Sequence, residues 1–120
     1  RSAQRPGHRF RPRDAAALNN LGYIAIKGWG DYEKGIAHIH QALSLSPQNP
    51  MVMESLGSAY VHAGDHENGV KYLEAALALV PDDRGLIARL KELYRSLGQT
   101  SKQKDLEKRE GLIEGIGGSG

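Results

Sequence analysis

The sequence predicts an all-α fold: an α-solenoid of antiparallel helix pairs, with two full repeats, a partial third and a capping helix. Three observations carry this. The triplet Pro12-Arg13-Asp14 returns as Pro47-Gln48-Asn49 and Pro81-Asp82-Asp83, which sets three helix starts 35 and 34 residues apart. Within each of the first two units stands a Gly-Asp pair, Gly30-Asp31 and Gly64-Asp65, that divides the unit into two helices. Between these marks apolar and small residues recur at intervals of three and four, the period of a helix with one buried face.

Taken in order, residues 1–13 carry five arginines, Pro6-Gly7 and Pro12 around a single large apolar residue, Phe10. They read as a basic flexible arm, because Pro6-Gly7 breaks any helix. The first repeat, 14–49, opens on Asp14, whose carboxylate can accept from the free amides of a first helical turn. Its first helix is expected from about Ala15 to Lys27, with Leu18, Leu21, Gly22 and Ala25 toward the partner helix and Gly22 allowing close approach. The turn Gly28-Trp29-Gly30-Asp31 is one residue longer than its counterpart His62-Ala63-Gly64-Asp65, which accounts for the spacing of 35. The second helix, about Asp31 to Leu45, carries Tyr32, Gly35, Ile39, Ala42 and Leu43, repeated as His66, Gly69, Leu73, Ala76 and Leu77 at a constant offset of 34. In the second repeat, 50–83, Pro50 fills a first-turn position that needs no amide donor. The third unit, 84–114, is partial. Ile87, Leu90, Tyr94 and Gly98 continue the pattern, but Lys91 stands where a small residue is due, so this pair should pack less tightly. From Ser101 to Glu110 the helix is polar on most sides, with Leu106 and Ile113 as its anchors, which suits the solvated end of a stack. Residues 115–120 read as a flexible glycine-rich tail.

The central unit contains Met53-x2-Leu56-Gly57-x2-Tyr60, then Gly64-Asp65, then Gly69-x3-Leu73-x2-Ala76-Leu77-x3-Pro81. This resembles one tetratricopeptide repeat, whose signature places Leu-Gly, Tyr, a small residue, an apolar residue and a proline within about 34 residues. The resemblance covers about residues 12–98. It implies stacked hairpins that display a concave groove for a peptide or partner helix: a protein-interaction scaffold, not an enzyme. The run Asn19-Asn20-Leu21-Gly22-Tyr23, with the long turn and then Met53-Glu54-Ser55-Leu56-Gly57, is also similar to the carboxy-terminal repeats of bacterial scaffolding lipoproteins of the cell envelope. That likeness implies an assembly or secretion component as partner.

At 100° per residue, the first helix of each unit presents three faces. One is the internal core. A second, Val52, Leu56 and Ala59 in one unit and Leu86, Leu90 and Leu93 in the next, should press on the preceding pair. Its equivalents Ala17, Leu21 and Ile24 have no predecessor in the chain, which makes them candidates for self-association into a homodimer; upstream repeats or a folded-back Phe10 are the other ways to cover them. The third face should line the groove, where partner binding is expected. It offers Asn19, Tyr23, Ile26 and Lys27, then Glu54, Ser58, Val61 and His62, then Glu92, Arg95 and Ser96, with Arg89 at the border. Members of the family that grip acidic chaperone tails use lysines, asparagines and an arginine to hold a terminal carboxylate. The residues at those places here are Asn19, Tyr23, Ser55, Gly85 and Arg89, of which only Arg89 matches, so that subtype is not expected.

Bulk properties narrow the rest. The net charge is +2, and five arginines sit in the arm, so the chain from Asp14 onward is slightly acidic. The arm makes contact with nucleic acid or an acidic partner an alternative, although it lacks interleaved aromatics and a second basic face. The absence of cysteine leaves a cytoplasmic and a periplasmic or envelope location equally open. No apolar run approaches the roughly 20 residues of a membrane span. A chain that begins at Arg1 and ends Gly-Gly-Ser-Gly reads as a piece of a longer protein, and an accessory or oligomerising region of a multidomain enzyme is the rival from another class. Within the chain no catalytic, cofactor or metal constellation is expected. His38-x-His40 points to different faces, His62-x3-His66 straddles a turn, and Gly28-x-Gly30 joins two helices rather than following a strand.

Overall fold

A computed structural model describes the backbone of residues 15–118 and the side chains through residue 113. The basic arm with Phe10, the Asp14 cap and residues 119–120 lie outside the described residues. The described residues form six helices and no strand: α1 (Ala15–Trp29), α2 (Tyr32–Leu45), α3 (Pro50–His62), α4 (His66–Leu79), α5 (Arg84–Ser96) and α6 (Thr100–Gly118). They pair as the hairpins α1–α2, α3–α4 and α5–α6, and each hairpin packs on the next. The last helix runs past the expected end and takes in residues 115–118, which the sequence assigned to the tail; no proline stands in that stretch to stop it.

Capping chemistry fixes the ends. Asn49 Oδ1 accepts from the amides of Met51 and Val52 at 3.0 and 3.4 Å, and Asp83 Oδ1 from Leu86 at 3.1 Å, with Pro50 in the first turn of α3. Asp31 and Asp65 cap the second helices of their hairpins, accepting from Lys34 and Asn68. Gly30, Gly64 and Gly98 turn the chain with φ of 66°, 91° and 74°, a region closed to most side chains. Around Gly64 the amides of Gly64 and Asp65 bond the carbonyls of Val61 and Tyr60, and Gly98 and Gln99 bond Arg95 and Tyr94 in the same way. At Gly30 the corresponding bonds reach back one residue further, to Ile26 and Ala25, which is how the extra residue of the first turn is absorbed.

Glycines bring the hairpin helices together. A Cβ at Gly22 would lie 2.6 Å from the Gly35 carbonyl oxygen, and one at Gly57 would lie 3.0 Å from that of Gly69. With Lys91 in place of the third such glycine, α5 and α6 share a smaller contact, and Lys91 Nζ instead meets Glu110 Oε1 at 2.5 Å. Two apolar clusters form the core. One joins Leu18, Ile39, Ala42, Val52 and Leu56; the other joins Leu73, Leu77, Ile87, Leu90, Tyr94 and Leu106, with Ile113 packed against it. Leu21 does not join them. Leu18, Gly22 and Ala25 are buried as expected of the inner face, while Leu21 is exposed, because its angle on the helix turns it to the outer flank. Tyr32, the first residue of α2, is likewise at the surface.

Two polar clusters tie neighbouring hairpins. At the first junction His40 Nε2 lies 2.8 Å from the Tyr60 hydroxyl, and the His40 ring stands edge-on to Tyr60 and to Tyr72, which are stacked 5.7 Å apart. At the second, the Tyr94 hydroxyl donates to Glu74 Oε2 at 2.5 Å, and Lys102 Nζ reaches the same oxygen at 3.3 Å. Burial and the Glu74 carboxylate push the Tyr94 hydroxyl well above its ordinary pKa, so it stays a donor.

Candidate functional site

The first helices of the three hairpins, α1, α3 and α5, lie side by side and leave an open groove of about 790 Å³ along their shared face. Its floor is set by the second helices. Ile26 is seated on Gly35 and Val61 on Gly69: a Cβ on either glycine would come within 2.4 Å of the side chain above it. The missing Cβ atoms therefore let α1 and α3 sit low, and they place two branched apolar side chains at the bottom of the groove.

Most of the residues read from the sequence line it. Tyr23, Ile26 and Lys27 come from α1, Glu54, Ser58, Val61 and His62 from α3, and Arg89, Glu92 and Ser96 from α5. Two do not. Asn19 is 8% exposed, and its Oδ1 is buried with no hydrogen-bond partner among the described residues. It occupies the position equivalent to Glu54 but, with a shorter side chain, is enclosed rather than turned to the groove. Arg95 lies outside the groove, its guanidinium turned onto Glu92. The self-association candidates Ala17, Leu21 and Ile24 are exposed on a different side of α1.

The groove also takes in residues not singled out for it. Ala88 stands one repeat on from Glu54, so the offset of 34 carried its signal. Met51 lines it from the first turn of α3, and Ser55 and Gly85, named above for the places where chaperone-tail binders hold a carboxylate, line it as well. His66 enters from the first turn of α4, which no pattern along α3 could disclose.

Charges in the groove cancel in pairs. Arg89 Nη1 lies 2.9 Å from Glu54 Oε2 and donates to Ser58 Oγ at 2.9 Å, bridging α5 and α3. Glu92 is held by Arg95, whose guanidinium keeps the carboxyl below its usual pKa. Lys27 has its ammonium 5.7 Å from the centroid of the Tyr23 ring. The His62 Nδ1–H donates to the Ser58 carbonyl at 2.8 Å, which fixes the ring against α3. The surface is thus an apolar trough with a neutralised far wall and a basic corner at Lys27. Among the described residues no three His, Cys, Asp or Glu side chains come together as a metal site, and no helix is long and apolar enough to cross a membrane.

A family model for the tetratricopeptide repeat matches residues 30–84. No curated protein matches the chain in sequence. Among solved structures it is similar to the Sgt2 TPR domain from Aspergillus fumigatus, at TM-score 0.73 and 25% identity over 85% of this chain and 67% of that one. It is similar to MamA at TM-score 0.79 and 16% identity, covering 91% of this chain and 63% of MamA's. It is also similar to the first TPR of Spaghetti (RPAP3), bound there to the HSP90 peptide SRMEEVD, at TM-score 0.73 and 20% identity over 88% and 85%.

Proposed function

The chain belongs to the tetratricopeptide-repeat family, and we propose that it is a protein-interaction scaffold whose groove along α1, α3 and α5 binds a peptide or helix with an apolar face. The observation that carries this reading is the pairing of charge: Glu54 with Arg89 and Glu92 with Arg95 neutralise one wall, while Ile26, Val61 and Ala88 leave the trough apolar. Binding is rigid display, in which a preformed groove spares the partner the cost of ordering it. The Spaghetti repeat holds an acidic chaperone peptide, but here the arginine suited to that task is already bonded to Glu54 and Ser58. An acidic tail would have to displace Glu54 to reach it.

Peptide display on the full chain, followed by titration of the selected peptides, tests the reading. Selected sequences should carry spaced apolar residues, and Tyr23→Ala combined with Arg89→Ala should weaken them at least about tenfold, or about 1.4 kcal/mol, with helical circular dichroism intact. Unaltered affinity would move the site elsewhere. Selection of acidic carboxy-terminal tails would contradict the ligand chemistry.

A further inference from the structure

We propose that the outer face of α1 is a self-association surface on which a second copy of this chain docks antiparallel, about a two-fold axis. The interface between hairpins gives the reason. Leu56 and Ala59 of α3 are 0% and 4% exposed under the preceding hairpin, and Leu90 and Leu93 of α5 are 0% and 7% exposed. The equivalent residues of α1, Leu21 and Ile24, are 42% and 53% exposed. The chemistry of a buried repeat interface therefore continues onto the surface at α1. The helix carries one charged side chain along its whole length, Lys27, and that belongs to the groove.

The occupant follows from what the other described residues can offer. The far end of the stack, α6, exposes Lys102, Lys104, Asp105, Glu107, Lys108 and Arg109. Pressing these onto Leu21 and Ile24 would strip charges of water with no counter-charge opposite, so head-to-tail stacking is disfavoured. A second α1 has the matching chemistry. Ala17, Leu21, Ile24 and Gly28 follow one another at four, three and four residues, the spacing of a seam between two packed helices. Antiparallel pairing about a point between Leu21 and Ile24 sets Leu21 against Ile24 of the partner subunit and Ala17 against Gly28 of the partner subunit. Large side chains then fill the centre and small ones let the ends close, as an isologous contact requires. Tyr23, Ile26 and Lys27 leave α1 on another side, so both grooves stay open.

Sedimentation equilibrium of the full chain, from low to high micromolar concentration, tests the proposal. A reversible monomer–dimer equilibrium that stops at two copies is expected. Leu21→Glu or Ile24→Lys, each at an exposed site, should abolish the dimer without changing helix content. Mixing the two variants should restore it, because the new carboxylate of one chain meets the new ammonium of the other. A monomer at every concentration, assembly beyond two copies, or a mixture that stays monomeric would each overturn the proposal. So would a chain that dimerises only once residues 1–13 are removed, since that segment would then be what covers the face.

Discussion

Gly22 shows how much one absent carbon decides in this fold. Alanine is the better helix former by about 1 kcal/mol, yet its Cβ would lie 2.6 Å from both the Gly35 carbonyl oxygen and Ile39 Cγ1. A backbone oxygen cannot rotate away, so Gly22→Ala should destabilise the chain by about 1–3 kcal/mol in urea unfolding. Gly111→Ala, with open space around its Cβ, should stabilise it by roughly 0.5–1 kcal/mol. Equal responses would mean that the helices do not approach as closely as described. The glycines were legible in the sequence because their spacing repeats. Asn19 was not: its position on the helix matches Glu54, and nothing in that spacing tells that its side chain is enclosed. Arg95 escaped for a similar reason, since a long side chain goes where its counter-charge lies, here to Glu92.

At the scale of helices, the junction between the first two hairpins depends on a histidine that burial keeps neutral. His40 faces Tyr60 from α3 and Tyr72 and Lys71 from α4. Burial first and the Lys71 charge second lower its pKa from 6.5. The unfolded chain therefore binds a proton more readily than the folded one. The contribution is complete above about 6.5 and is lost as pH falls through that value toward the folded pKa. Between about pH 7.5 and about pH 5.5 the urea midpoint should fall further for the native chain than for His40→Gln. Identical falls would remove His40 from the junction's energetics. Helix boundaries were legible from Asn49, Pro50 and Asp83. The caps at Asp31 and Asp65 hid within what read as turns, although the same carboxylate chemistry operates there.

For the molecule as a whole, stacking hairpins that touch mainly their neighbours turns three similar helices into one continuous surface. The repeat offset made that surface readable, because residues 35 and 34 apart must share a direction. It could not reveal how the charges pair across it, since Arg89 meets Glu54 only when α5 lies beside α3. That pairing leaves an apolar trough, and the account rests on a partner lying in it. Mapping amide chemical shifts of the full chain during titration with a display-selected peptide is the most direct measurement. The account predicts shifts concentrated at Tyr23, Ile26, Lys27, Val61, His62 and Ala88; shifts confined to α2, to α4 beyond Leu73, or to α6 would contradict it.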